Sequence, residues 1–363
     1  MTDDPTPGAP SPDPPPTSPT PAASSTPAAS PPRAEAGAPA DPLFASTADL
    51  RPVEAAVDGL RREIGRVVVG QHAMVDELVA CLLAGGHALI EGVPGVAKTL
   101  TARLLARATG LDYARIQFTP DLMPADVLGT SVFRPQHGDF EFHPGPVFAQ
   151  VVLIDEINRA PAKTQAALFE VMEERQATVD GTRYPMPAPF TVLATQNPIE
   201  HEGTYNLPEA QLDRFLFKIV VGYPGLEDEV EMLERFQRGG GRVALDAVEP
   251  VLDAAGVERA QAVVRSIRAE TPVLRYAAEI VDATRSHPAL ALGASPRATL
   301  ALLQGAKAVA AMSGRDFATP DDVKSVVAPA LRHRVLLTAD REIEGARVEA
   351  VLRQLTAEVE VPR

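Results

Sequence analysis

The sequence predicts an α/β domain built around a parallel sheet and followed by a helical domain. Three observations support this prediction. The run HALIEG, at residues 87–92, is a short apolar strand that leads into a glycine-containing turn and a helical pattern. A second apolar run, QVVLIDE at residues 150–156, ends in two acids, as strands do at the ligand-binding edge of an open α/β sheet. From about Pro224 onward the pattern is helical, broken by Gly and Pro.

Composition narrows the class of protein. The 363 residues carry a formal net charge of −14, and 45% of them are hydrophobic. An acidic chain without a long basic run is poorly suited to bind nucleic-acid phosphates or an anionic membrane surface. The single cysteine, Cys81, permits no intramolecular disulfide and fits a reducing compartment. No apolar run approaches the roughly 20 residues of a transmembrane helix, and the first residues do not resemble a signal peptide, so we expect a cytoplasmic protein.

The chain is predicted to have three parts. Residues 1–45 are expected to be a disordered tail, because residues 1–43 hold 14 of the 35 prolines and few large apolar side chains. Such a tail could be a tether, a ligand for a proline-binding domain or an inert solvated segment. Residues 46–223 are assigned to the α/β domain and residues 224–363 to the helical domain.

The remaining elements follow from local patterns. A first helix is expected at residues 48–67, and C-terminal helices at residues 226–236, 257–267, 276–285, 296–313 and 320–330. The segment 331–338 should pack against this helical domain. Hairpins are expected at residues 131–148, turning at His137 and Gly138, and at residues 176–192, turning at Asp180 and Gly181. His137 and His143 lack acidic partners, which favours solvated histidines over a metal site. Residues 201–210 are interpreted as an interface segment.

The turn after the first strand, GVPGVAKT at residues 92–99, almost fits the nucleotide-binding pattern G-x-x-x-x-G-K-[ST]. Ala97 stands where the pattern has glycine, but the order of strand, turn and helix favours a phosphate-binding loop over an ordinary turn. Lys98 would then face the outer phosphates, and the Thr99 hydroxyl would ligate Mg²⁺. Ala97 is expected to be harmless, provided that its φ is negative. The predicted ATP contacts are Gly92, Pro94, Gly95, Val96, Ala97, Lys98, Thr99 and Leu100.

The paired acids at the end of the second strand fit the same chemistry. Asp155 is placed to hold Mg²⁺, and Glu156 to polarise the attacking water as a general base. A strand ending in a solvated acidic turn is the alternative for one such acid. Downstream of the loop, the pair predicts ATP as the ligand and Mg²⁺ as its cofactor.

Several longer motifs, in order along the chain, resemble those of the MoxR branch of the AAA+ ATPases. The loop itself, with alanine before the lysine, is similar to the version found in that branch. Further stretches that resemble it are VVVGQ (67–71), DLMPADVLGT (121–130), residues 145–174 and LPEAQLDRF (207–215). The resemblance covers the chain from residue 50 to the C-terminus. It implies a P-loop AAA+ domain with a parallel sheet and hairpin inserts, then an all-α lid, with Val69 and Gly70 beside the adenine.

The resemblance also implies roles for three downstream residues. Asn197 matches sensor 1, which orients the lytic water, although an Asn before Pro is otherwise a turn former. Arg214 matches the arginine finger offered to a neighbouring subunit's ATP; the alternative is a helix-end arginine paired with Asp213 or Glu209. Arg297 stands at a helix start, where the dipole disfavours a cation. It resembles sensor 2, which reaches from the lid to the γ-phosphate.

The predicted function is ATP hydrolysis coupled to chaperone-like remodelling of a protein client. We expect the chain to act as a homo-oligomeric ring, with six copies as the expected number. The resemblance implies maturation of the client or insertion of a metal or cofactor, often with a von Willebrand factor A-type protein. Two alternatives stay open: a nucleic-acid motor of the same clade and a non-hydrolysing nucleotide-dependent scaffold. The acidic balance and the few hairpin cations, Arg134 and Arg183, weigh against the first. The presence of Glu156, Asn197 and Arg214 weighs against the second.

Overall fold

The computed structural model describes residues 49–198, 205, 207–238 and 245–362. The predicted tail, residues 1–45, lies outside the described residues. So does most of the predicted interface segment, including His201 and Glu202.

The described chain forms helices and strands in the expected order. The strands are β1 (Ala88–Gly92), β2 (Tyr113–Gln117), β3 (Gly129–Arg134), β4 (Asp139–Pro144), β5 (Val151–Asp155), β6 (Gln176–Val179), β7 (Thr182–Pro185), β8 (Thr191–Gln196), β9 (Phe217–Val221), β10 (Leu290–Leu292) and β11 (Leu336–Leu337). The helices are α1 (Arg51–Gly65), α2 (His72–Leu83), α3 (Lys98–Ala108), α4 (Pro124–Leu128), α5 (Ala162–Glu174), α6 (Glu209–Leu212), α7 (Leu226–Arg238), α8 (Ala254–Ser266), α9 (Thr271–Ser286), α10 (Pro296–Met312), α11 (Pro320–Leu331), α12 (Ala339–Ile343) and α13 (Val348–Glu358).

A five-stranded parallel sheet lies at the centre, in the order β2-β5-β8-β1-β9. Its side chains alternate between two hydrophobic cores, because successive residues of a strand point to opposite faces. In β5, Val151 and Leu153 belong to one core, and Val152 and Ile154 belong to the other. The predicted α/β class is confirmed.

The two cores are covered differently. One contains residues of α1, α2 and α3 together with residues of α8 to α11 and α13, so the C-terminal helices share a core with the sheet. The other is formed largely by α5 and the segments around it. Among the described helices, none is both long and apolar enough to cross a membrane.

The five predicted C-terminal helices are present, with ends shifted by a few residues. The start of α11 is fixed by a capping box: the Asp322 amide donates to the Thr319 hydroxyl at 3.3 Å, and the Thr319 amide donates to the Asp322 carboxylate at 2.7 Å. The short strands β10 and β11 and the helices α12 and α13 were not predicted. Their sequences are short or give weak periodic patterns.

Both predicted hairpins are present. Strands β3 and β4 pair antiparallel with His137 and Gly138 in the turn, and β6 and β7 pair around Asp180 and Gly181. Asp180 and Gly181 both have positive φ, 50° and 78°, which is the backbone that a two-residue Asp-Gly turn requires. The two hairpins meet where Phe142 stacks on Tyr184, with ring centroids 3.9 Å apart.

We expected residues 331–338 to pack against the helical domain, and only part of this segment does so. Leu336 and Leu337 form β11, which pairs with β10 of the helical part as expected. The preceding residues, His333 and Arg334, instead contact the segment that leads into β9. His333 bonds the carbonyl of Phe215 at 3.0 Å, and Arg334 donates to the carbonyls of Phe215 and Leu216.

Candidate functional site

The carboxyl ends of the parallel strands bring most of the predicted ATP and Mg²⁺ residues together. They line a cleft of about 430 Å³. The lining residues come from the turn after β1 and from the ends of β2, β5 and β8: Pro94, Gly95, Val96, Ala97, Lys98, Thr99, Leu100, Arg115, Gln117, Asp155, Glu156, Thr195, Gln196 and Asn197. This is the position at which open α/β sheets bind ligands.

The loop between β1 and α3 corrects one expectation. Ala97 is not on the first helical turn with negative φ; it precedes α3 with φ of 64° and ψ of 19°, in the left-handed region. Gly95 also has a positive φ, 88°. The chain therefore turns through two left-handed residues before the helix begins at Lys98. A Cβ in this region carries a local strain that glycine would not have.

Lys98 lies against the loop that it follows. Its ammonium donates to the carbonyl of Gly92 and, at 3.0 Å, to that of Val93. The charge is thus held at the loop, where the helix N-terminus also favours anions. A positive side chain at a helix start is unfavourable by itself but suits a phosphate ligand.

Thr99 and Asp155 form the candidate Mg²⁺ site. The Thr99 hydroxyl donates to the Asp155 carboxylate at 3.1 Å, and Asp155 is buried. Hydroxyl and carboxylate oxygens are ligands that Mg²⁺ accepts, and its other positions are usually filled by phosphates and water. The donor set therefore fits the metal.

Two further residues hold Asp155, and the sequence did not reveal them. Thr195 donates to its Oδ1 at 3.0 Å, and Arg115 donates to its Oδ2 at 2.6 Å. Arg115 belongs to β2, which pairs in register with β5. The sequence of β2, YARIQ, mixes apolar and charged residues and gave no clear strand signal.

Glu156 follows Asp155 with a left-handed backbone, φ 58°. Its amide donates to the Thr195 hydroxyl at 3.1 Å, which fixes this unusual conformation. Gln117 donates to Glu156 Oε2 at 3.0 Å, and Arg159 Nε lies 2.8 Å from the same oxygen. The carboxylate is thus oriented at the cleft by Gln117 of β2 and by Arg159 of the turn that follows Glu156.

Asn197 follows β8 directly and is buried at the same cleft. In the sheet, β8 lies next to β5, which carries Asp155. Asn197 therefore lies beside the loop and the acids, while the role that the resemblance implies for it stays a prediction.

Val69 and Gly70 are not among the residues that line this cleft. They lie in the turn between α1 and α2, where Gly70 has φ of 73° and packs so closely on Asp228 that a Cβ would lie 2.5 Å from its carboxyl carbon. The next residue, Gln71, donates to the carbonyl of Gly222 at 3.1 Å, just beyond β9. A small recess of about 80 Å³ beside Val68 and Gln71 is the nearby cavity.

Arg214 and Arg297 lie together in a second cavity, of about 270 Å³. Arg214 Nη1 donates to Glu173 Oε2 at 3.0 Å, and Arg297 Nη2 donates to Glu173 Oε1 at 2.5 Å. The suggested alternative partners of Arg214 were wrong. Asp213 is paired with Arg334 instead, and Arg214 turns to the end of α5.

Arg334 anchors the segment that carries Arg214. Its side chain is 3% exposed, and it donates to the carboxylate of Asp213 at 2.6 Å. It also donates to the carbonyls of Asp213, Phe215, Leu216 and Ala330. Burial lowers the pKa of the Arg334 guanidinium. These oxygen acceptors offset the cost of burying its charge. Ser295, just before α10, donates to the other Asp213 oxygen at 2.9 Å.

Two buried histidines, His87 and His333, form hydrogen bonds with the segments around this second cavity. His87 accepts from the Val192 amide at Nδ1 and donates from Nε2 to the carbonyl of Met172, which defines a neutral tautomer. Burial, with the nearby Arg175 cation, lowers its pKa to about 3. Burial and the neighbouring Arg334 likewise lower the pKa of His333 well below its ordinary value.

The chain is similar to known proteins over most of its length. The chain matches the model of the ATPase family associated with various cellular activities (AAA) over residues 87–217 and that of the AAA lid domain over residues 282–355. It is 45% identical over 299 residues to YeaC of Bacillus subtilis, covering 82% of this chain and 92% of that protein. It is 44% identical over 310 residues to chaperone MoxR1 of Mycobacterium tuberculosis, covering 83% and 81%.

A crystal structure points the same way. A Cytophaga hutchinsonii protein described as a candidate ATPase superposes with a TM-score of 0.79 at 38% identity, over 87% of this chain and 97% of that one. The family models, the relatives and the solved structure thus agree on an AAA domain followed by a lid domain. The chain belongs to the MoxR family of AAA+ ATPases.

Proposed function

We propose that the chain hydrolyses ATP with Mg²⁺ and works as a ring of identical copies that remodels a partner protein. The observation that supports this most strongly is the grouping of Lys98, Thr99, Asp155, Glu156 and Asn197 around one cleft at the sheet edge. These residues come from three separate stretches of the sequence, at 98–99, 155–156 and 197, and the fold brings the three together.

Each residue has a distinct task in this proposal. The loop amides and Lys98 hold the phosphates, and Thr99 and Asp155 hold Mg²⁺, which would neutralise charge on the phosphate oxygens. Glu156 accepts a proton from the attacking water, and Gln117 keeps its carboxylate in position. Asn197 orients that water.

Arg214 and Arg297 are proposed to serve a neighbouring copy. Both line a cavity other than the cleft of their own Lys98, and both are partly exposed there, 29% and 42%. A guanidinium at a subunit interface can stabilise the charge that spreads over the transferred phosphoryl group. A head-to-tail contact of this kind closes into a ring, which we expect to be hexameric.

The client is proposed to be a protein. The name of the Mycobacterium tuberculosis relative includes the word chaperone. The β3–β4 hairpin exposes Phe133 and Phe140, 50% and 71%, as a cross-strand pair near its tip. Exposed aromatic pairs suit apolar segments of other proteins better than nucleic acid in an acidic chain. Maturation of the client, metal or cofactor insertion, a von Willebrand factor A-type partner and a cytoplasmic location remain parts of this proposal.

The hydrolytic part is tested by measuring phosphate release and particle mass together. The purified chain should release phosphate from ATP only with Mg²⁺, and its specific activity should fall on dilution as the ring dissociates. Lys98→Ala should be inactive. A wild-type chain that binds ATP but releases no phosphate at any concentration would support the scaffold alternative.

The client part is tested with the hairpin. Phe133→Ser/Phe140→Ser should keep basal phosphate release within about twofold but lose protection of a heat-denatured model enzyme from aggregation. Val132→Ser, exposed on the opposite face of the same hairpin, is the matched control. Equal protection by both variants would remove the hairpin from the proposal.

A further inference from the structure

Glu173 is placed between the two arginines that the proposed reaction assigns to a neighbouring copy. Each oxygen of its carboxylate accepts from one of them, at 3.0 Å from Arg214 and 2.5 Å from Arg297. These arginines come from different parts of the chain, the turn after α6 and the first turn of α10. One carboxylate therefore holds two guanidinium groups side by side.

This arrangement needs the negative charge. Two cations that share one small site repel each other, and a carboxylate bridging them offsets that repulsion and fixes the direction of each group. Arg214 gains one more bond, to the carbonyl of Phe169 at 3.2 Å on the same helix as Glu173. Without the carboxylate, the long side chains would sample many rotamers.

The C-terminal end of α5, which carries Glu173, is held in place by hydrogen bonds. The carbonyl of the preceding residue, Met172, is bonded to the buried His87 at the start of β1. Arg175, just beyond the helix, donates to the carbonyls of Gly85 and Phe190. The carboxylate thus stands on a helix end tied to the central sheet, whereas Arg297 stands on the lid.

We infer that Glu173 is a positioning residue for a composite arginine pair, Arg214 and Arg297, that one copy presents to the ATP of its neighbour. The inference rests on the proposed function, because it assumes that these arginines act between copies. Glu173 touches no nucleotide in this account. It acts on the rate of phosphoryl transfer by fixing the direction of both guanidinium groups.

The first measurement separates turnover from binding. Glu173→Gln keeps the shape and loses the charge, so phosphate release at saturating ATP should fall about tenfold or more. ATP affinity, read with a fluorescent ATP analogue, should stay within about twofold, since the P-loop is elsewhere. Glu173→Asp, too short to reach both arginines, should be intermediate. Glu174→Gln is the control, since Glu174 is also exposed and forms no ion pair among the described residues.

The second measurement asks which copy needs Glu173. Mixed with Lys98→Ala, Glu173→Gln should recover activity, because the Lys98→Ala copy brings an intact Glu173 and both arginines to its neighbour's loop. A mixture of Glu173→Gln and Arg214→Ala should not recover activity, because in both variants the defect lies in the arginines presented to the neighbouring copy. If Glu173→Gln instead damaged its own ATP cleft, activity would return in the mixture with Arg214→Ala and not in the mixture with Lys98→Ala.

The outcomes are distinct. Full turnover by Glu173→Gln, a matching loss of ATP affinity, or rescue by Arg214→Ala would each overturn the inference. Failure of the proposed function looks different: the wild type would release no phosphate, or Arg214→Ala mixed with Lys98→Ala would stay inactive. Glu173→Asp keeps the test meaningful if Glu173→Gln folds poorly, as circular dichroism would show.

Discussion

The Thr99 hydroxyl lies 3.1 Å from the Asp155 carboxylate, at the meeting point of the first turn of α3 and the last residue of β5. The contact joins the phosphate loop to the acidic strand end. It brings together the two protein oxygens most suited to Mg²⁺ at this edge of the sheet.

Removing that hydroxyl tests the metal site. Thr99→Val keeps the volume but loses the ligand, so the Mg²⁺ concentration for half-maximal phosphate release should rise by at least about tenfold. Thr99→Ser keeps the hydroxyl and should resemble the wild type. Identical Mg²⁺ titrations for the valine and serine variants would show that Thr99 is not a ligand.

The left-handed backbone of Ala97 changes the effect that we expect from glycine at this position. On the first helical turn, glycine would cost about 1 kcal/mol of helix propensity. At φ 64°, glycine instead relieves strain, so Ala97→Gly should leave the free energy of unfolding unchanged or raise it by up to about 1 kcal/mol. ATP affinity should stay within about threefold.

A matched substitution in the same helix provides the control for this sign. Ala102→Gly, in the buried interior of α3, should lower the free energy of unfolding by about 1 kcal/mol or more. Urea denaturation measures both variants. A loss of more than tenfold in ATP affinity for Ala97→Gly would show that the alanine itself is needed.

The sequence was most informative where chemistry and pattern coincide. The apolar strand β5 ends at Asp155, and β1 leads into the loop that carries Lys98, so these two residues could be predicted to lie at one edge of the sheet; the resemblance added Asn197. Arg115 and Gln117 could not, because β2 is short and mixed in polarity and only its pairing with β5 brings them to the acids.

The ion-pair partners of side chains could not be predicted from the sequence. The alternative interpretation of Arg214 paired it with Asp213 or Glu209, but Asp213 pairs with the buried Arg334 and Arg214 pairs with Glu173. Glu173 had no sequence signal at all, since it looks like an ordinary acid at the end of a helix. Contacts between distant elements decide such pairings.

Glu156→Gln tests the proposed base. The amide keeps the shape and leaves Asp155 intact, so ATP should bind within about threefold of the wild type. Phosphate release should fall by about 10²-fold or more, because the amide cannot accept the proton of the attacking water. Release near the wild-type rate would mean that another group acts as the base.

The buried His87 predicts a pH dependence of stability. Its folded pKa, about 3, lies below the unfolded value, so it adds stability that is present above about pH 6.5 and is lost as the pH falls. Below about pH 6 the free energy of unfolding should drop by up to about 1.4 kcal/mol per pH unit from this residue alone, until the pH nears the folded pKa. His333 contributes in the same direction.

Urea denaturation at several pH values checks this dependence. His87→Asn cannot titrate, so its slope should be shallower by about one proton even if the variant is less stable overall. His137→Asn, exposed in the β3–β4 turn, should keep the wild-type slope. Equal slopes for the wild type and His87→Asn would mean that the imidazole is protonated in the folded state.

The central claim is that each active site is shared between two copies. Arg214→Ala should bind ATP through its own Lys98 but lack the proposed finger, and Lys98→Ala should keep the finger but lack a working loop. Each alone should be inactive, by about 10³-fold for the arginine variant. The most direct test is phosphate release from an equal mixture of the two.

Random assortment in a head-to-tail ring pairs an intact loop with an intact Arg214 at about a quarter of the interfaces. The account therefore predicts that the mixture recovers up to about a quarter of wild-type phosphate release. If Arg214→Ala alone kept full activity at every concentration, or the mixture stayed as inactive as its parts, the shared site would be contradicted.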